Sequence, residues 1–312
     1  MKRTRLPLGI DIGTTRIRVA EAEMTPAGPR VRAVAVRDVA STEASYLCAL
    51  IDDAVRELGT KERRCVCALG EPDAVMRPVP FPKMPAAERE RSARFEAQRF
   101  VDFPVEDAVV RVHAMEPPAD LWAVGVARQN AVFARVHVLR RARLKPLAID
   151  HEACAFLRAL PSYDAVLDVG HQRSSLHVRT RHAPVTLQTF NGGVDVTRAI
   201  ERELSIDAHS AEKRKRILGT AGAGERARAA LAADITALFV QARRTYSIAR
   251  VALTGNGARL PGLAGDLESA TGTFFELPVC EVLRGHGYPD DVTRSGAPDW
   301  TLAAGLSLWS RP

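Results

Sequence analysis

Apolar and polar positions alternate from Leu8 to Ala22 on either side of a polar tip, Asp11-Ile12-Gly13-Thr14-Thr15-Arg16, a pattern that predicts two strands joined by a tight turn. A third strand is expected from Val31 to Val39. From Tyr46 to Leu58 the apolar residues fall at helical spacing (Leu47, Leu50, Ile51, Ala54, Val55, Leu58) and the run stops at Gly59. Arg64 to Leu69 returns to strand. The order β-β-β-α-β opens a mixed sheet with a helix packed on it. Between Pro78 and Pro118 the character changes: prolines at 78, 80, 82 and 85 lead into a charged helix, Ala86 to Phe100, and a Phe103-Pro104 turn. This stretch reads as an insertion. A strand (Leu121 to Ala127), a helix (Asn130 to Arg143), a strand (Leu147 to Asp150) and a helix (Glu152 to Leu160) complete a first lobe over 1–160, with the insertion at about 84–120.

The opening pattern then recurs. Ala165-Val166-Leu167-Asp168-Val169-Gly170, followed by Ser174 to Arg179, repeats the apolar strand ending in Asp-x-Gly, the polar turn and the return strand. Further along come a strand (Val185 to Phe190), the pair Gly192-Gly193 and three helices (Val194 to Leu204, Ala208 to Leu218, Glu225 to Ser247). A strand, Val251 to Leu253, runs into Gly255-Asn256-Gly257. The second lobe, 161–312, is expected to repeat the first with a helical insertion at about 194–248.

Two Asp-x-Gly hairpins, one per lobe, suit nucleotide phosphates, because glycine lets backbone N–H groups approach and a carboxylate can hold magnesium or position water. Asp11 and Asp168 are the candidate magnesium ligands and catalytic carboxylates, and Gly13, Thr14, Thr15 and Gly170 the candidate phosphate-binding residues. Gly255, Asn256 and Gly257 form a third turn able to approach a base or ribose. A lone Asp-x-Gly is also an ordinary turn; the weight lies in two matching hairpins and a later Gly-x-Gly in one order.

Composition narrows the classes without choosing among them. With 312 residues, 46% hydrophobic and 26% charged, the chain can bury a sizeable core. No apolar run approaches a spanning helix and Met1 to Leu8 lacks the apolar region of a leader, which predicts a cytoplasmic protein. Five scattered cysteines (Cys48, Cys65, Cys67, Cys154, Cys280) suggest neither disulfides nor zinc, and Cys65 and Cys67 are expected to be buried on one strand face. The net charge of +7 invites a nucleic-acid reading, but the arginines are dispersed among acids and aromatics make up only 5%, which argues against it.

At this point the chain resembles the actin-like ATPase superfamily and, within it, the PilM and FtsA families, over nearly its whole length. The carrying residues are Met84-Pro85 with Glu88, Phe95-Glu96-Ala97-Gln98-Arg99-Phe100 and Phe103-Pro104-Val105-Glu106-Asp107. To these add Ala148-Ile149-Asp150 with Glu152, and Gly255 through Leu263. The resemblance implies an α/β, two-lobed actin-like fold of duplicated ribonuclease-H-like mixed sheets with an inserted FtsA/PilM-type small subdomain. It implies ATP and Mg2+ as ligands, Glu212 and Lys215 at the ribose, and Glu152 near the attacking water as a third catalytic carboxylate. Taken as residues alone, Glu212 and Lys215 also fit a solvated helix face, and Glu152 a favourable charge in a helix's first turn. The chain departs from the family pattern at His171-Gln172-Arg173 and at Asn256, where bulky side chains either narrow the site or, at Arg173, pair with phosphate, so turnover is expected to be at most weak.

The resemblance further implies a type IV pilus adaptor, peripheral at the inner face of the cytoplasmic membrane. It would hold the cytoplasmic tail of a PilN-like membrane protein near the insertion, beside other pilus assembly proteins, and self-association stays open. Phe95 and Phe100 suit either that contact or core packing. The alternatives are a small-molecule kinase or other ATPase of the same superfold, and a nucleotide-free pseudo-ATPase scaffold of a secretion or DNA-uptake machine. A membrane-bound cell-division role is disfavoured because Trp300 to Leu306 reads as a buried closing helix.

Overall fold

The computed structural model of the chain describes residues 4–114, 121–181, 183–278 and 298–310. Cys280 and residues 115–120, the last part of the expected insertion, lie outside the described residues.

Three sheets organise the chain. In the first, β2 (Leu8–Ile12) pairs antiparallel with β3 (Arg16–Thr25), and β3 pairs with β4 (Gly28–Asp38) on its other side. β5 (Arg64–Leu69) then runs parallel to β2, and β9 (Lys145–His151) runs parallel to β5 and ends the sheet. A short β1 (Thr4–Arg5) pairs with β3 in line with β2, the two pieces being separated at Pro7, which cannot donate to a ladder. The second sheet repeats this plan. β10 (Ala165–Val169) and β11 (Ser174–Val178) form the hairpin, β12 (Val185–Thr189) extends it, and β13 (Val251–Thr254) and β14 (Phe275–Glu276) run parallel on the other side.

The third sheet, antiparallel in the order β6-β8-β7, comprises β6 (Ala74–Pro80), β7 (Ala108–Ala114) and β8 (Leu121–Arg128). It carries the charged helix α2 (Ala86–Ala97) and so reaches beyond the 84–120 stretch that stands out in the sequence. β6 accommodates Pro78 and Pro80 because it is an edge strand. Helix α2 turns Ala93 and Ala97 inward, whereas Phe95 is 69% exposed and Phe100 packs at the margin of the subdomain's core.

The helices α1 (Ala44–Glu57) and α3 (Gln129–Arg141) cover one face of the first sheet. The helices α5 (Gly193–Leu204), α6 (Ala208–Leu218), α7 (Glu225–Arg243) and α8 (Leu263–Thr271) accompany the second. Between the sheets lie α4 (Glu152–Ala159) and the last helix, α9 (Thr301–Ser307), in one buried cluster with Ala20, Val66, Val166 and Ala252. Thus α9, which follows the second lobe in the chain, packs on β2 and β3 of the first. Glycine makes this approach possible: a Cβ on Gly9 would lie 1.9 Å from the Ala303 carbonyl oxygen, and one on Gly305 would lie 1.9 Å from that of Ala155.

Cys65 and Cys67 are buried side by side on β5, and burial pushes the Cys67 thiol up to about 11. No described helix is long and apolar enough to cross a membrane.

Candidate functional site

The two Asp-x-Gly hairpins close in the same way. The Gly13 amide donates to the Arg16 carbonyl at 2.9 Å, and the Gly170 amide donates to the Arg173 carbonyl, also at 2.9 Å. The third loop is fitted onto the second hairpin. A Cβ on Gly255, whose φ is +82°, would meet Asp168 Oδ1 at 2.4 Å, and one on Gly257 would meet Val169 Cγ1 at 2.2 Å. The start of α5 seats on the same hairpin: Gly193 donates to the Gly170 carbonyl at 3.0 Å and Val194 to that of His171 at 2.8 Å.

These elements enclose a cavity of about 240 Å3. Of the residues expected at a nucleotide, Thr15, Gly170, Glu212, Lys215, Asn256 and Gly257 line it. Gly13 and Thr14 instead face a separate groove with Ile12, Phe133 and Arg135. Asp11, Asp168, Glu152 and Gly255 are not among the lining residues. Lys215 Nζ donates to the Gly193 carbonyl at 2.8 Å, to Thr197 Oγ1 at 2.7 Å and to Glu212 Oε2 at 2.7 Å. Burial, its largest influence, would raise Glu212, but Lys215 and Thr197 hold its carboxyl below the usual range. So this half-buried pair lines the cavity and is tied into its wall.

The carboxylates of Asp11, Asp168 and Glu152 repel one another. Burial, reinforced by Glu152 and Asp11, pushes Asp168 up to about 7. Burial also raises Glu152 and Asp11, against the pull of arginines. Glu152 opens α4, whose cap is the His151 ring accepting from the Ala153 amide at 3.2 Å. Its carboxylate rests where a Cβ on Gly70 would be, 1.9 Å from Oε2, so a glycine at the end of β5 makes its room.

Sequence reading passed over Arg18, Arg259 and Asp299. Arg18 is 5% exposed; Nη1 approaches Asp11 Oδ2 at 3.5 Å, while Nη2 donates to Asn256 Oδ1 at 2.7 Å and to Asp299 Oδ2 at 3.1 Å. Arg259 holds the other oxygen of Asp299 at 2.7 Å. Burial favours a neutral Asp299, but Arg18 and Arg259 overcome it and hold the carboxyl below its ordinary value. Asn256, a departure from the family's glycine, is therefore an acceptor for Arg18. Arg18 was findable, because hairpin register places it directly across from Asp11. Asp299 carried no local signal.

The glycines at 255 and 257 are required by their contacts with Asp168 and Val169 of the second hairpin, and the cavity beside them is the candidate nucleotide site. Among the described residues no three His, Cys, Asp or Glu side chains group closely enough to hold a divalent ion without further ligands, whereas magnesium at a nucleotide is ordinarily held by one or two carboxylates together with phosphates and water. Arg18 also already faces Asp11.

A second depression, about 730 Å3, lies between the inserted sheet and β9. Its walls include Met76, Val109, Ala123, Leu147, Ile149 and Trp309, with Asp150 and Arg158 paired at 2.8 Å.

Residues 9–311 match the family model described as type IV pilus assembly protein PilM. Among solved structures the chain is similar to the PilM-PilN type IV pilus biogenesis complex, at 27% identity over 97% of both chains with a TM-score of 0.83. It is also similar to the ethanolamine utilization protein EutJ from Carboxydothermus hydrogenoformans, at 14% identity over 99% of this chain and 90% of that one with a TM-score of 0.61. The cytoplasmic domain of EpsL, an inner-membrane component of the Vibrio cholerae type II secretion system, matches at 10% identity over 100% and 97% with a TM-score of 0.53. The last two likenesses concern the fold alone. In the comparison with curated proteins, nothing matched.

Proposed function

Because the chain belongs to the family of the type IV pilus assembly protein PilM, we propose that it is the actin-like adaptor of a pilus assembly complex and holds the tail of a PilN-like membrane protein. The observation that carries this reading is the 730 Å3 groove between the inserted sheet and β9. Its floor includes β9, which ends its sheet and so offers unpaired backbone groups to an extended peptide. Met76, Val109, Leu147 and Ile149 supply apolar contacts for alternate side chains of such a peptide. The likeness to the PilM-PilN complex supports the same partner chemistry. Through that tail the protein would sit at the inner face of the membrane.

The cleft is read as a nucleotide site, with Glu212 and Lys215 at the ribose and Gly170, Asn256 and Gly257 close to the ligand. Its role would be to bias the two lobes between arrangements by differential contact, which is all a ligand can do.

The test is calorimetric titration of a synthetic PilN-like tail peptide into the protein and into Leu147→Asp, a change on the 41%-exposed groove face of β9. The variant should keep its circular dichroism and bind at least about tenfold more weakly, a loss of about 1.4 kcal/mol. Undiminished binding would move the partner site elsewhere.

A further inference from the structure

The first lobe gathers positive charge at the edge of its sheet that lies away from the cleft. β2, β5 and β9 run parallel, and their far ends lead into the candidate site at Asp11, Gly70 and Glu152. Their starts lie level at the opposite edge, where Arg64 pairs across from Lys145 and Cys65 across from Leu8. The helices α1 and α3 each precede one of these strands and end at the same edge. Their last turns and the loops that follow carry Arg56, Lys61, Arg63, Arg140, Arg141 and Arg143, all exposed, as are Arg64 and Lys145. The nearby acids are engaged: Asp52 by Arg56, Glu62 by Arg64 and Glu57 by Arg37. Among the described residues no carboxylate lies within ion-pair distance of Lys61, Arg63, Arg140, Arg141, Arg143 or Lys145; Arg63 Nη1 donates to the carbonyls of Thr60 and Glu62. Between the helix ends, Arg56, Arg63 and Arg143 surround a depression of about 360 Å3, with Asp52 as the one acid among its described lining residues. A helix dipole favours a cation in the last turn, which accounts for Arg56 and Arg140 but not for the cations of the loops.

Arg143 adds a second observation. It follows the cap of α3 with a φ of +59°, and the Leu144 amide closes the helix on the Leu139 carbonyl at 3.0 Å. Glycine is the usual residue at that position, because a side chain there is strained. Strain is accepted, then, where it adds a cation to this edge.

We propose that this edge of the first lobe rests on the anionic headgroups of a membrane. Exposed like charges repel one another and favour a polyanionic surface over water, and anionic lipids present such a surface as a plane. The place of the edge favours lipid over nucleic acid. Lys145 runs directly into Pro146 and Leu147, which line the groove read above as the seat of a membrane protein's tail. A tail entering that groove from the bilayer brings the basic edge against it. The choice of lipid rests on that reading; the charge of the edge does not.

The test is co-sedimentation of the full chain, with no tail peptide present, with vesicles of phosphatidylcholine alone and of about two parts phosphatidylcholine to one part phosphatidylglycerol. At about 0.15 M salt the anionic vesicles should bind at least about tenfold more strongly, and the difference should vanish near about 0.5 M salt as screening shortens. Equal sedimentation with both vesicles overturns the proposal. The combined variant Arg140→Glu, Arg141→Glu, Arg143→Glu should keep its circular dichroism and fall to the phosphatidylcholine level. Arg143→Gly, which relieves the strained backbone, should melt no lower than the native chain yet bind anionic vesicles roughly fivefold more weakly, the share of one charge. Undiminished binding by both variants places the membrane contact elsewhere and overturns the assignment. If labelled duplex DNA binds in the same salt while the anionic vesicles do not, the edge belongs to nucleic acid and the lipid proposal fails. The effect of Leu147→Asp on tail binding would stand in either case, because no tail enters this experiment.

Discussion

In the first hairpin the residue directly across from Asp11 is Arg18; in the second, the residue directly across from Asp168 is Ser175. The backbone plan is duplicated but its electrostatics are not. Asp11 is buried with a guanidinium beside it, whereas Asp168 is buried with Glu152 and Asp11 as its strongest charged neighbours and is pushed up to about 7. The same divergence holds two pairs further from the turn. Gly9 and Ala20 are small because the backbone of α9 crosses there, and the equivalent Val166 and His177 are large, with His177 stacked on Phe156 at 5.1 Å. A repeated hairpin therefore predicts where a site lies, while the cross-strand partner decides what charge each copy can carry.

The strongest way to break this comparison is Arg18→Met. Removing the arginine leaves Asp11 and Asp299 buried without it, and urea denaturation should show a loss of about 3–5 kcal/mol. A loss under about 1 kcal/mol would mean that the ion cluster is not what holds the first hairpin. Next in size is the pH behaviour of Asp168→Asn. With a folded-state pKa raised from 3.8 to about 7, the carboxyl adds stability that is complete below its unfolded value and lost as pH rises through 7. Denaturation midpoints should therefore favour the variant over the native chain increasingly between about pH 4 and pH 7, by up to about 4 kcal/mol. Buried His151 and His177, lowered to about 4 and about 3, act in the opposite direction but cancel in the difference. A difference flat across that window would show that Asp168 meets a cation after all.

Smaller again is Gly9→Ala, whose methyl would sit 1.9 Å from the Ala303 carbonyl oxygen and 2.6 Å from the Ser307 nitrogen. It should cost about 1–3 kcal/mol by displacing α9, measurable as a lowered melting temperature. Ser175→Ala, the counterpart of the arginine change, should fall within about 1 kcal/mol. An equal cost for the two would erase the distinction between the hairpins.

The duplicated strand-turn-strand pattern, the glycine turns and the helical periodicities were legible along the chain because each is set by neighbours within a few residues. Glu212 and Lys215 were legible only through the family resemblance. β6 and β7 were missed: the prolines of β6 read as a break, and edge position, which excuses them, is a property of the sheet.

By itself, then, the sequence determined most of the elements, their repetition and the place of the two aspartates at the hairpin tips, all of which depend on local alternation and turn chemistry. Only the tertiary structure decided that α9 returns to the first sheet and that Arg18, Asn256, Arg259 and Asp299, spread from β3 to the end of the chain, meet in one ion cluster. Burial sets both outcomes. Apolar faces must cover one another wherever they lie in the chain, and a carboxylate carried inside with them must find a cation or give up its charge.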